Sequence, residues 1–395
     1  MSTLRHENPH YEQHAYWSGV LAMTLCVFVL IASEFMPVSL LTPVAADLRV
    51  SEGLAGQGIA ISGALAVLTS LSLSTLAGNL HRKYLLLGMT ALMALSATMV
   101  ALSPCYLIYM AGRALIGIAI GGFWSMSAAT ALRLVPRHRV PHALAIFNGG
   151  NALATVIAAP LGSYLGAVMG WRGAFLCLVP VAIVAFIWQC FSLPAMAPDT
   201  NRRPGRSAFH LLSRPVVAVG LLACGLFFMG QFSLFTYVRP FLETVTRVDI
   251  STLSLILLTI GIAGFIGTLA ISHFLKRGLY STLAAISSLM AVVAVTLILT
   301  GQHLGFVVPL LGFWGLMATA APTGWWAWIA RTLPDDAEAG GGLMVAVIQL
   351  SIALGSTLGG LTFDHTGWQS TFALSGGLLI VATGLTILTS RKTHH

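Results

Sequence analysis

The chain has 395 residues, of which 57% are hydrophobic and only 8% charged, with a mean hydropathy of +0.87. A soluble domain carries roughly 25% charged residues, so composition excludes one. The net charge of +8 is then expected in loops at a membrane surface, where it selects topology and attracts anionic lipid, rather than in a nucleic-acid patch.

Taken in chain order, residues 1–16 read as a polar tail. Apolar runs long enough to cross roughly 30 Å of hydrocarbon as a helix are then predicted over 17–46, 54–77, 84–103, 106–132, 141–168 and 173–193. The first run is long, is interrupted by Glu34 and Pro37, and lacks a convincing cleavage site, so it reads as an uncleaved helix rather than a signal peptide. Residues 194–214 carry three prolines, Asp199, Asn201 and four arginines, the composition of a polar linker. Six more runs follow over 215–241, 250–275, 278–301, 303–330, 338–362 and 369–390, and 391–395 form a closing tail. The prediction is an all-α polytopic membrane protein, twelve transmembrane helices in two pseudo-symmetric six-helix bundles, 17–193 and 215–390.

Orientation follows from the positive charges, because loops rich in Lys and Arg stay in the cytoplasm. Fifteen Lys and Arg fall on the side of the termini, against Arg49, Arg172, Arg239 and Arg247 on the other. Both termini are therefore expected in the cytoplasm. The five cysteines, Cys26, Cys105, Cys177, Cys190 and Cys224, show no metal-ligand spacing and read as packed thiols.

The halves repeat. Arg133-Leu134-Val135-Pro136 recurs as Arg331-Thr332-Leu333-Pro334, and the stretch ending Gly170-Trp171-Arg172-Gly173-Ala174-Phe175 recurs as Gly367-Trp368-Gln369-Ser370-Thr371-Phe372. Related bundles with a site between them near the midplane are the plan of secondary transporters, which rock one half against the other.

Two charges are expected at depth, Glu34 in the first span and Arg113 in the fourth. A carboxylate in hydrocarbon costs several kcal/mol when ionised, about 3 by insertion scales and more by others, so it is usually kept for proton or ion traffic. Arginine does not release its proton at physiological pH. Glu34 is therefore the expected proton carrier, and Arg113 a counter-charge or water-organising donor. Pro37 has no N–H to give the Ser33 carbonyl one turn back, which leaves an acceptor free beside the carboxylate.

At these residues the chain resembles the major facilitator superfamily, and within it the twelve-span drug:proton antiporters. Gly112-Arg113-Ala114-Leu115-Ile116-Gly117 followed by Gly121-Gly122 resembles that family's arginine motif, and Gly150 to Gly166, with Ala159-Pro160-Leu161-Gly162, resembles its glycine-proline antiporter motif. The loop Gly78-Asn79-Leu80-His81-Arg82-Lys83 departs from the family pattern, keeping the glycine and the bases but lacking the aspartate. Asp335, Asp336 and Glu338, opposite Arg137, His138 and Arg139 in the repeat, are a possible substitute latch beside the simpler reading as a solvated loop. The resemblance implies the major facilitator fold, with Pro37, Gly117, Gly121, Pro160 and Gly162 as structural motif residues.

The stretches 34–43, 121–128, 230–240 and 345–350 are most similar to the nucleoside-exporting members of the family. That similarity implies proton-coupled antiport, by alternating access, of purine ribonucleosides such as inosine, adenosine and guanosine and of related base analogues. It further implies no cofactor beyond the proton gradient, and the chain is expected to work as a monomer among membrane lipids. A purine nucleoside offers a flat ring and several hydrogen-bonding groups, so aromatics and amides are the expected lining. The candidates are Phe123, Trp124, Asn148, Asn151, Gln231, Phe235, Tyr237, Trp325, Trp326 and Gln349. A sugar or multidrug exporter of the same fold remains a second reading, because fold does not fix cargo, and a membrane sensor or scaffold a third. No nucleophile, base and orienting group stand together as an enzyme would need.

Overall fold

A computed structural model describes residues 16–76, 80–136, 139–196, 208–333 and 337–393. Gly78, Asn79, Arg137, His138, Asp335 and Asp336 lie outside the described residues, as do the side chains of Asn148 and Glu338. Among the described residues there is no strand. The helices are α1 (Trp17–Leu48), α2 (Glu52–Leu76), α3 (Arg82–Ala101), α4 (Tyr106–Leu134), α5 (Val140–Leu176), α6 (Leu178–Ser192), α7 (Pro215–Phe235), α8 (Val238–Phe241), α9 (Ile250–Arg277), α10 (Leu279–Thr300), α11 (Leu304–Thr332), α12 (Ala337–Thr366) and α13 (Trp368–Thr393).

Eleven continuous apolar helical stretches among the described residues are long enough to cross a membrane, and one of them, Gly149–Ser192, runs 44 residues. At 1.5 Å per residue that is about 66 Å, twice a bilayer core, so it must fold back. It does so at Gly170, whose φ of 78° and ψ of 161° are non-helical and costly for a residue with a Cβ. Counting that break, the spans number twelve. The seventh is also broken, α7 ending at Phe235 and α8 resuming at Val238.

The start of α1 and the end of α13 define a proximal end of the bundle, and the α1–α2 and α3–α4 turns a distal end. Within the first half α1 packs on α5 and α2 on α4; within the second, α9 packs on α11 and α7 on α12 and α13. The halves meet chiefly where α2 packs against α12 and α5 against α9, with a smaller contact of α1 against α8. Each half has its own core. Met23, Ile116, Ile120 and Phe123 belong to the first, and Phe227, Leu257, Trp314 and Trp328 to the second, which also receives Val38, Ile59 and Ala159 from across the seam.

The α2–α4 contact explains the spacing of the arginine motif. A Cβ on Gly117 would stand 2.2 Å from the Ser62 carbonyl oxygen, and one on Gly121 2.2 Å from that of Ala66. The two helices thus meet backbone to backbone in matched four-residue steps, as small-residue interfaces in membranes allow. Arg113, one turn before Gly117, falls against Gly58, one turn before Ser62, so the glycines set the register in which the arginine meets α2. Gly117→Val is expected to force the helices apart at a cost of about 1–3 kcal/mol; the thermal unfolding midpoint in detergent, with Gly88→Ala (open space around the residue) as control, checks it. Gly162 and Gly166 do similar work on α5, where an added Cβ would meet Met36 and Ser39, or Leu40, of α1. The buried Pro160 leaves the Val156 carbonyl without its helical donor, and α9 comes to that carbonyl with Gly261, where a Cβ would stand 2.7 Å away.

Hydrogen bonds across the seam concentrate from mid-depth to the distal end. Gln57 accepts from Thr357 at 3.0 Å and Ser254 donates to Ser163 at 2.9 Å. At the distal tip Asp364, on the last turn of α12, accepts from Ser51 and from the Gly53 amide. A carboxylate on the first amides of α2 is the favoured charge for a helix N-terminus. Lys83, from the basic cluster after the second span, instead serves the first half alone, donating to the Cys190 and Leu193 carbonyls at the end of α6. The cysteines are free, but only Cys26 and Cys224 are buried, and Cys105 is exposed, which corrects the expectation that all five are packed.

Candidate functional site

Arg113 is 1% exposed and is tied to two other helices. Its Nη1 donates to the Ser33 carbonyl at 2.7 Å, its Nε to the Gly58 carbonyl at 3.1 Å and its Nη2 to Ser62 Oγ at 3.3 Å. The Ser33 oxygen is the one that Pro37 leaves without a helical donor, so the proline vacates the acceptor and the arginine takes it. Arg113 thereby clamps α1, α2 and α4 together. No ion pair joins it to Glu34 among the described residues, although the guanidinium lies within electrostatic reach of the carboxylate.

Glu34 is 8% exposed on α1, and its Oε1 accepts from Gln349 Nε2 of α12 at 3.4 Å. This bond crosses the seam: the carboxylate belongs to the first half and the amide to the second. Its neighbour Phe35 also faces the second half, with ring centroids 6.2 Å from both Phe232 and Phe235 of α7; those two rings stand 6.1 Å apart, edge to face. A carboxylate, a bridging amide and three aromatic rings therefore meet where α1, α7 and α12 converge. Buried oxygens without partners among the described residues stand on these helices: Gln349 Oε1, Gln231 Oε1 and Ser33 Oγ. An unpaired buried acceptor costs about 1–3 kcal/mol, so these atoms are suited to accept from a bound molecule or water.

The other sequence candidates divide. Gln349, Gln231 and Phe235 belong to this convergence. Trp124 and Asn151 are partly buried in the first half, and Trp326 is 44% exposed on α11. Three candidates are corrected. Phe123 is wholly buried in the first-half core against Trp124, and Trp325 is packed edge to face on Trp328. Tyr237 donates to the Ser356 carbonyl at 2.7 Å and stacks on Phe363, close against Gly56, Gly359 and Gly360. It plugs the distal seam rather than lining a cavity. The side chain of Asn148 lies outside the described residues.

Sequence reading missed Phe35 and Phe232, whose signal was adjacency to Glu34 and Gln231, and missed Arg239. That arginine is a third buried charge, 5% exposed. Counted in the sequence as a loop charge, it stands on the short helix α8, which packs against α1.

Two six-helix halves with a buried carboxylate on the seam are the architecture of a secondary transporter. The family model of the major facilitator superfamily matches residues 23–340, and the chain belongs to that superfamily. A bacterial homolog of the human lysosomal transporter Spinster, solved in an inward-facing and unoccupied conformation, superposes with a TM-score of 0.73 over 95% of this chain and 97% of that one, at 14% identity; it supports the fold alone. Among curated relatives, the transcription regulatory protein OpdE of Pseudomonas aeruginosa is 64% identical over 98% of this chain and 96% of its own length. The purine ribonucleoside efflux pump NepI of Salmonella typhimurium is 41% identical over 92% of each.

Proposed function

We propose that this chain is a proton-coupled exporter of purine ribonucleosides, with inosine, adenosine, guanosine and related base analogues as cargo. The observation that carries the proposal is the Glu34–Gln349 bond across the seam. An ionised carboxylate only accepts hydrogen bonds, whereas a protonated one also donates. Loading a proton on Glu34 therefore changes what the first half offers to the second at the place where they must separate. The rings of Phe35, Phe232 and Phe235 supply stacking faces beside it, and the amides of Gln231 and Gln349 supply partners for a base and ribose. The 41% identity to a protein named as a nucleoside pump over nearly the whole chain supports this choice of cargo. With the termini in the cytoplasm of a bacterial inner membrane, the sealed distal end faces the periplasm. Protons enter as cargo leaves, and a monomer suffices.

The name of the 64% identical relative favours a second reading, a role in gene regulation. The longest segment between spans is the linker 194–214, too short for a DNA-binding domain of its own. A regulatory effect of such a protein would then follow from the level of the solute it moves, which is again transport. Vesicles carrying the purified protein and an imposed pH gradient decide the cargo. Labelled inosine is expected to move with the gradient at several times the rate of arabinose or a cationic dye. Gradient-driven movement of either of those with none of inosine would overturn the nucleoside assignment while leaving antiport intact.

A further inference from the structure

Helix α1 carries a second proline, Pro43, and it vacates a second carbonyl, that of Ser39 one turn back. This oxygen accepts from Nη1 of Arg239. The arrangement parallels Ser33 and Arg113 with one difference. Arg113 and Ser33 both belong to the first half, whereas Arg239 comes from α8 of the second, so its bond to Ser39 spans the seam near the distal end. The remaining face of the guanidinium is held by its own half: Nε and Nη2 each stand 2.8 Å from Glu243 Oε1, one turn along. The other carboxylate oxygen, Glu243 Oε2, is buried and without a partner among the described residues.

From this we infer that Arg239 is a two-position latch that sets which end of the transporter is open. In the state described here it holds the distal end shut by donating across the seam to the Ser39 carbonyl. When the halves part, the donor leaves Ser39 and turns to the vacant Glu243 Oε2, converting a single-oxygen pair into a two-oxygen one, the stronger geometry for guanidinium and carboxylate. The cost of separating the halves is offset locally because the cation is never left unpaired, and an unpaired buried charge is the outcome that a membrane protein can least sustain. Pro43 keeps the latch breakable. The Ser39 carbonyl has no claim from its own helix and can be taken and released without unwinding α1. The neighbouring seam bonds, Asp364 to Ser51 and Gly53 and Thr357 to Gln57, are all local to the same end and close with it. The inference concerns relative motion of the halves and needs neither the cargo nor the membrane orientation proposed above.

The test is a distance measurement on the full chain in nanodiscs. Spin labels are placed at Leu102 on the first half and Leu304 on the second, both exposed near the distal end, with Cys105, Cys177 and Cys190 replaced by serine. Arg239→Gln is expected to raise the long-distance population at least tenfold over the parent. Pro43→Ala, which returns an N–H to the Ser39 carbonyl, is expected to do the same through the other partner. The double variant should open no further than the larger single effect, because both changes remove one bond. Glu243→Gln should leave the short distance dominant, since the amide oxygen can still accept from Nε and Nη2 in the closed position while the second acceptor of the open position is lost. If Arg239→Gln does not fold, Pro43→Ala and Arg239→Lys test the same bond. Unchanged distances in the Arg239 and Pro43 variants would overturn the latch. So would additive opening in the double variant, or opening by Glu243→Gln equal to that of Arg239→Gln.

Discussion

Glu34→Gln is expected to reduce gradient-driven inosine movement in vesicles to the level of protein-free controls while leaving the protein folded. The substitution keeps shape and hydrogen-bonding reach, so the contact to Gln349 can persist through an amide pair, but it removes the group that binds and releases a proton. Exchange of labelled for unlabelled inosine with no gradient should continue, because rocking of the halves needs only that the seam bond can form and break. The two measurements together separate lost coupling from lost transport. Full gradient-driven activity in Glu34→Gln would sink the mechanism. Glu34 is the one buried carboxylic acid among the described residues at the convergence of α1, α7 and α12, so at most one proton is bound there per cycle. For an uncharged nucleoside that exchange carries net positive charge inward and is expected to respond to membrane potential as well as to pH.

Arg113→Leu is expected to cost the most stability of any substitution considered, through a mechanism that a second substitution can isolate. Of the three acceptors that the guanidinium holds, Ser62 Oγ also donates to the Ile59 carbonyl at 2.8 Å, and the Gly58 carbonyl lies within the continuous helix α2. Only the Ser33 carbonyl, vacated by Pro37, is left with nothing. An orphaned buried acceptor costs about 1–3 kcal/mol, and the loss of the cation near Glu34 adds to it. In the Arg113→Leu background, Pro37→Ala should recover about 1 kcal/mol by restoring a helical N–H to that carbonyl. In the parent the same proline change should be neutral or harmful. Thermal unfolding of the four proteins in detergent forms the cycle. Equal effects of Pro37→Ala in both backgrounds would show that the arginine and the proline do not share the Ser33 oxygen.

Much of this molecule is legible one helix at a time. A span announces itself by twenty apolar residues, because hydrocarbon allows no unpaired backbone and the helix satisfies it locally. A proline at position 37 announces a free carbonyl at position 33 by the same local rule. The same rule applied to Pro43 points to Ser39, yet nothing along the chain says which donor arrives there. Glycines at 117 and 121 advertise a close contact without naming Ser62 and Ala66 as the other side. Depth is not legible where the helix axis breaks. Arg239 counts as a loop charge in sequence because it lies at the end of a run, and it is buried because α8, after the turn at Thr236 and Tyr237, packs against α1. Aromatics were the least legible: Phe123, Tyr237 and Trp325 share composition and neighbourhood with Phe35, Phe232 and Phe235, and only their packing separates core from seam.

Span number and the presence of Glu34 and Arg113 at depth were thus fixed by composition and local backbone chemistry, since each depends on a single helix meeting hydrocarbon. Which partners those residues take was decided by tertiary structure. Arg113 closes on its own half, whereas Glu34 and the Ser39 carbonyl reach Gln349 and Arg239 of the other. Those pairings join residues 315 and 200 apart in sequence and depend on how two bundles come to share a face, and no local preference in either segment encodes that approach.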